Sequence, residues 1–333
     1  MVTGPTGTGR ARRGTPRRTV LAVAGGAVLT GAGALGGCRT DGAGGPDGDA
    51  SPFTGERQRG DHVLAVKVDN VPAARPQSGL ADADIVCTEQ VEAGLSRILA
   101  VFASTIPATI GPVRSARESD IELLRQFGEP ALAFSGVQHR LLPLLRKAPL
   151  RLLSPGELGD GYERHADRSA PHNLYLRGRR AERAASGASA PRDIGFRFGE
   201  APEGGRDTAR ETVRYPAASF TFTWSKERRR WLVEMDGTPA RHGADGDRGP
   251  EPATVVIQYV TVRPSAYRDS GGSVTPYTET VGSGRARVLR DGKAYEAHWS
   301  RPSAGGGTTF TTAQGHGLPF ARGPVWVALV RAD

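Results

Sequence analysis

The sequence predicts an α+β protein, with a mixed α/β N-terminal domain followed by a β-rich, mostly antiparallel C-terminal domain. Three observations lead there. Short apolar runs and helically spaced segments alternate over residues 61–200. Period-2 alternation dominates from residue 215 onward. A Gly- and Glu-rich stretch separates the two regions. The 333 residues include 45 Gly and 24 Pro, yet no Gly-X-Y period or sustained heptad occurs, which excludes collagen-like and coiled-coil classes. Runs such as VVIQYVTV (255–262) and PVWVALV (324–330) demand burial and argue against a disordered chain.

The N-terminus carries an address. Residues 1–37 read as an export signal: a basic region ending in PRRTVLA (16–22), then an apolar Gly/Ala-rich stretch from Val20 to Leu35, too short and too weakly hydrophobic to span a membrane. Leu35-Gly36-Gly37-Cys38 resembles a lipobox, in which the small residues admit the signal peptidase and the Cys thiol takes the lipid. Arg17-Arg18 resembles a twin-arginine signal, with general secretion the other route. The expectation is a protein held to the extracytoplasmic face of the membrane through Cys38. Residues 38–60, rich in Gly, Asp, Pro and Ser, are expected to form a disordered tether. The formal net charge is +9, but five Arg precede Cys38 with no acid among them, leaving 9 − 5 = +4 for the remainder. That balance predicts no nucleic-acid partner.

Order is expected from residue 61. HVLAVKVDN (62–70) and ADADIVCTEQV (81–91) read as strands, and LSRILAVFAST (95–105) as a strand or short helix. Ser119 with Glu122 three residues on forms a capping-box pattern for a helix over 119–134, with Ile121, Leu124 and Phe127 on one face. Residues 139–153 are helical but interrupted by Pro143 and Pro149, and 177–188 form a basic helix. A linker is expected over 201–214. Beyond it, 218–224 and 228–235 make a hairpin, and strands follow in 253–262, 275–301, 308–312 and 324–330. Asp291-Gly292 turns the 275–301 segment back on itself. Trp231, Trp299 and Trp326 fall in these strands as large core or groove side chains. Cys87, the only Cys besides Cys38, has no disulfide partner and reads as an inert core thiol.

Polar residues that suit chemistry cluster at predicted strand ends and loops: Asp69, Asn70, Arg75, Glu89, Glu92, Arg97, Arg114, Ser115, Arg117, His172 and Asn173. In GPVRSAR (111–117) the Gly-Pro forces a loop, and two guanidiniums three apart converge if a helix starts there, which suits a phosphate or carboxylate. The competing reading has Arg114 and Arg117 neutralising Asp69, Glu89 or Glu92. On a strand, Glu89 and Glu92 face opposite ways, which disfavours a shared carboxylate site. His172 is the best acid–base candidate, and Ser115 has no visibly paired base. No Walker loop, no GxGxxG after a strand and no HExxH occurs, so neither a cofactor nor a metal is expected. The sharpest expectation is that Arg75, Arg97, Arg114 and Arg117 gather in one pocket with Asp69, Glu89 and His172 around it.

VKVDNVPAARPQSGLADADIVCTEQVEAGLSRILAVF (66–102), IGPVRSAR (110–117) and APHNLY (170–175) resemble the N-terminal domain of the YerB-like bacterial lipoprotein family, a domain of unknown function. VVIQYVTV, VGSGRARVLRDGKAYEAHWSR (281–301) and LPFARGPVWVALV (318–330) resemble its C-terminal domain. The resemblance places Pro76, Gly79 and Gly94 at matching positions beside the eleven candidates above, and it implies architecture and location without supplying a catalytic residue. Two departures stand out. Cys87 stands where the family more usually has an aromatic residue, and Trp231 replaces a Tyr-type position. The leading expectation is a lipid-anchored envelope protein binding an anionic or polar envelope ligand, such as a cell-wall fragment or a small anion. The alternatives are an envelope hydrolase or transferase using Asp69, Glu89 or His172, and a structural scaffold without a ligand. Cys38→Ala is expected to remove the lipid and shift the protein out of the membrane fraction. Unchanged fractionation with no loss of lipid mass would contradict the anchor.

Overall fold

The computed structural model describes residues 1, 4, 49–241, 248–269 and 271–332. Apart from residues 1 and 4, the expected export signal, Cys38 and the first part of the expected tether lie outside them. Strands hold 40% of the chain and helices 14%, so the protein is β-rich throughout and the α/β character of the N-terminal half is modest.

The strands that matter to the site are β1 (Leu64–Val68), β2 (Ile85–Gln90), β3 (Ser96–Phe102), β4 (Ala131–Ala133) and β5 (Arg151–Leu153) from the N-terminal half. From the C-terminal half come β6 (Thr254–Val260), β7 (Gly282–Arg290), β8 (Lys293–Arg301), β9 (Thr309–Thr311) and β10 (Val325–Arg331). They form one sheet in the order β9-β8-β7-β6-β10-β2-β3-β1-β4-β5, with the short strand Arg206–Asp207 pairing on β8. The two halves are joined inside this sheet. β10 pairs in parallel with β6 on one side and with β2 on the other, where Ile85 faces Val325 and Thr88 faces Ala328.

Both sheet faces are covered, which explains why the strand sequences read as near-continuous apolar runs. On one face, Val66, Val86, Ile98, Val255 and Trp326 pack under a second antiparallel sheet spanning residues 210–239, whose Phe220, Phe222 and Trp231 point inward. On the other, Ala65, Cys87, Leu99, Val256 and Val288 pack against helix α1 (Glu118–Leu124), Phe127, Phe310 and Phe320. Trp231, Trp299 and Trp326 are all core residues. Cys87 is buried on the α1 face of the sheet, and burial pushes its thiol up to about 12, so it stays protonated and unreactive.

Several expectations are corrected. Order begins before residue 61: Ala50 bridges Arg57, and Phe53 is wholly buried, its ring edge-on to Phe127 at 5.4 Å. One buried aromatic anchors a stretch whose average composition reads as tether. Of the two readings offered for 95–105, the strand is the one found, as β3. The helix expected over 119–134 ends at Leu124 and passes through a short 3-10 turn. Gly128, at φ 84°, then redirects the chain into β4, which pairs in parallel with β1. Its cap is not Ser119 with Glu122. The Arg117 amide donates to Asp120 Oδ2 at 2.6 Å, while the Ser119 hydroxyl accepts from the Thr278 amide at 3.0 Å. Pro143 sits in the first turn of α2 (Leu142–Lys147) rather than breaking it, and β5 follows. The basic helix is α3 (Gly178–Ala185). The stretch expected as a linker contains paired backbone, because Arg210–Tyr215 is a strand of the second sheet. The Asp291-Gly292 turn, with φ of 50° and 74°, closes the β7–β8 hairpin as expected.

Because β10 lies between β2 and β6, a single proteolytic cut between residues 199 and 210 should leave the two fragments associated. Gel filtration of the nicked protein under native conditions checks this, and separation into two folded pieces would contradict it.

Candidate functional site

The site grows from the end of β1. Lys67 lies in an apolar run with no exposed surface, so its ammonium must be met by charge. It donates to Glu89 Oε1 of β2 at 2.5 Å and to Asp120 Oδ1 of α1 at 2.6 Å, both carboxylates being buried. Burial opposes the charged ammonium, but Asp120 and Glu89 outweigh it and raise the Lys67 pKa. Burial pushes Glu89 up against the pull of Lys67. The same lysine positions the next loop, because its carbonyl accepts the Arg114 amide at 2.7 Å. Asp120 in turn caps α1 through the Arg117 amide.

Two residues later stands Asp69, wholly buried. Its Oδ1 accepts the Asn70 amide at 2.9 Å. Its Oδ2 meets His172 Nδ1 at 2.8 Å and Arg114 Nε at 3.0 Å. Backbone pairing brings these distant residues together: the Asp69 amide donates to Pro112 O, and the Val113 amide to Leu174 O. Arg75-Pro76, Gly111-Pro112 and Ala170-Pro171 are cis, one in each of the loops that meet here.

Beside Asp69 opens a cleft of about 550 Å³. Asp69, Glu92, Arg97, Arg114, Ser115 and Arg117 line it, with Val91, Leu95, Val137 and Leu141 as apolar walls. Arg117 is held by Glu92 through two hydrogen bonds of 2.8 Å, and Thr275 donates to Glu92 at 2.6 Å. Burial opposes ionisation of Glu92, but these partners outweigh it and hold its pKa below the ordinary 4.5. Glu92 sits in a tight turn in which Ala93 and Gly94 have φ of 56° and 71°. A Cβ on Gly94 would lie 2.6 Å from Pro216, so only glycine fits.

Arg97 of β3 is different. Its side chain is 6% exposed, its Nε lies 3.8 Å from Asp69 Oδ1, and Nε and Nη1 are buried without a hydrogen-bond partner. Burial, then the neighbouring Arg117, lower its pKa to about 10 despite the attraction of Asp69. A buried guanidinium with unmet donors in the lining of a cleft has the chemistry to suit an oxyanion.

The expected convergence is partial. Asp69, Glu92, Arg97, Arg114, Ser115 and Arg117 share the cleft, whereas His172 does not line it and only bonds Asp69. Arg75 does not: it donates to Asn70 O at 2.7 Å and Asp236 Oδ2 at 2.8 Å, clamping the β1 end to the second sheet. Glu89 is taken up by Lys67. Asn70 links Ser96, Arg75 and Gln77, and Asn173 Oδ1 accepts from Arg164 at 2.6 Å, so both amides are occupied in holding loops. Residue-by-residue reading missed Lys67 and Asp120, although Lys67 is one of four lysines in an arginine-dominated chain and interrupts an apolar strand. It also missed the wall supplied by Tyr267, Arg268, Asp269 and Thr275, which belongs to a hairpin spanning 262–278. No local signal marks these residues as neighbours of β3.

Lys67→Ala leaves two buried carboxylates unmatched and should cost about 3–5 kcal/mol, measured by denaturant unfolding; a loss below about 1 kcal/mol would contradict this role. Because the folded pKa of Glu92 lies below its ordinary value, the stability it adds is present above that value and lost as pH falls through the lower one. Glu92→Gln should therefore flatten the acid limb of the stability profile, and an unchanged limb would contradict it.

Comparison with known proteins agrees with the architecture. A Bacillus subtilis protein named YerB and described as a candidate lipoprotein is 53% identical over 64 residues, a stretch covering 19% of this chain and 19% of that protein. The crystal structure of YerB protein from Bacillus subtilis superposes with a TM-score of 0.73 at 22% identity, covering 85% of this chain and 97% of the other, so the fold is shared. Residues 52–191 match the N-terminal domain, and residues 211–327 the C-terminal domain, of a protein family of unknown function. With both domains present in order, the chain belongs to the DUF3048 family.

Proposed function

We propose that this chain is an exported, lipid-anchored envelope protein that binds an anionic ligand in the cleft beside Asp69. The anchor reading rests on the order of basic region, apolar stretch and Leu35-Gly36-Gly37-Cys38, and on likeness to a relative described as a candidate lipoprotein. The ligand reading rests on one observation: Arg97, buried and with Nε and Nη1 lacking a hydrogen-bond partner, lines a cleft that Arg114 also lines. Asp69 lies at ion-pair distance, 3.8 Å, yet leaves these two donors without a hydrogen bond, and a buried donor left unmet favours a partner from outside. A pure scaffold accounts for Arg75 and Arg117, whose charges are met by Asp236 and Glu92. It does not account for Arg97.

Inorganic phosphate and a soluble cell-wall peptide carrying free carboxylates are suitable probes. The wild type should bind at least one, measured by calorimetry. Arg97→Ala should abolish that binding while changing stability by less than about 1 kcal/mol. No binding by the wild type, together with a large destabilisation in Arg97→Ala, would make the cluster structural.

A further inference from the structure

We infer that the anion taken by the cleft is amphipathic, an oxyanion with an apolar group attached close to it. The inference rests on the anion-binding reading and narrows its ligand class. β1 and β3 run antiparallel, and their backbone pairing ends with Val68 opposite Ile98. Side chains carry the same register further. Asp69 Oδ1 lies 3.8 Å from Arg97 Nε, and Asn70 Nδ2 donates to Ser96 Oγ at 2.9 Å. The next pair in that register is Val71 with Leu95, and both have extended backbone. Side chains alternate along extended chain, so Asp69, Val71, Leu95 and Arg97 belong to one side, Asn70 and Ser96 to the other. The cleft follows this division: the first four line it, and Asn70 and Ser96 do not.

A charged rung, Asp69 with Arg97, is thus followed by an apolar rung, Val71 with Leu95, about 7 Å further along the strands. The strand residues before them are buried, whereas Val71 and Leu95 are only half-buried. Val137, just beyond β4, and Tyr267, from the 262–278 hairpin, are half-buried too and line the same cleft. One partly exposed apolar side chain needs no explanation. Four around the cleft that holds Arg97 and Arg114 leave apolar surface in water where a ligand can cover it. The volume of about 550 Å³ also exceeds what a bare oxyanion fills and matches small-molecule sites. A bare ion leaves the Val71–Leu95 rung wet, and a sugar phosphate sets hydroxyls against it. An alkyl carboxylate or an alkyl phosphate satisfies both rungs, and the oxyanion joined to a carbon chain is the chemistry they share.

The test is calorimetry on the full purified chain with two series: acetate, butyrate and hexanoate, and inorganic phosphate, butyl phosphate and hexyl phosphate. 1-Hexanol is the uncharged control. Affinity should rise about tenfold or more from the shortest to the longest member of at least one series, with an increasingly negative heat-capacity change. The series that rises identifies the head group as carboxylate or phosphate. Leu95→Ser and Val71→Ser should each narrow the ratio between the longest and shortest members, and the wild-type series decides the matter if either variant fails to fold. If phosphate or acetate binds but chain length adds no affinity, the inference is overturned and the anion-binding reading stands. If no member of either series binds, or if 1-hexanol binds as tightly as the anions, both fall.

Discussion

A lysine ammonium with no access to water governs the N-terminal half. Lys67 sits in the middle strand region of an apolar run, where an unpaired charge is intolerable, and Glu89 and Asp120 are drawn to it from β2 and α1. That single requirement ties three elements together. The consequences reach the cleft directly. The Lys67 main-chain carbonyl holds the Arg114 amide, and the Lys67-bound Asp120 caps the helix through the Arg117 amide, so one loop arginine is fixed by the β1 backbone and the other through the ion cluster. Asp69 follows two residues later on the same strand end, where it collects Arg114 and His172. Removing the ammonium would therefore disturb the cleft without touching any residue that lines it.

The sheet supplies the second constraint. β10, the last strand of the chain, is inserted between β2 and β6 in parallel with both. The N-terminal half thus reaches its final neighbours only when the C-terminal half is present. The cleft repeats this logic, because Glu92 on one side is met by Thr275 from the hairpin of the other half. Glu122 is likewise occupied by the Thr280 and Val281 amides at 2.7 and 3.1 Å. The two family domains, continuous in sequence, are one structural object around the site.

The arginines divide into two groups with different physical roles. Arg75 and Arg117 have their charges met by Asp236 and Glu92 and act as ties between loops and strands. Arg301 and Arg290, both buried, are used by backbone carbonyls in the same way. Arg97 is held less closely, since its nearest carboxylate oxygen is 3.8 Å from Nε, and its Nε and Nη1 have no hydrogen-bond partner. Composition alone could not separate these groups, because a guanidinium looks the same in sequence whether its donors are taken up or left unmet.

By itself the sequence determined the strands β1, β2, β6, β7, β8 and β10, the Asp291-Gly292 hairpin, the inert character of Cys87 and the loops that hold Asp69, Arg114 and His172. Each of these follows from local information: apolar runs, a dipeptide that tolerates positive φ, or Pro and Gly at fixed positions. Only the tertiary structure decided that Arg75 leaves the cluster for Asp236, that Glu89 belongs to Lys67, and that Phe53 orders a stretch reading as tether. It also decided that the helix cap passes from Ser119 to Asp120. These outcomes depend on which buried charge or donor arrives from far along the chain, up to 161 residues away for Arg75 and Asp236. Local propensity carries no information about such a partner, whereas the cost of leaving a buried charge or amide unmatched imposes it once the chain has closed.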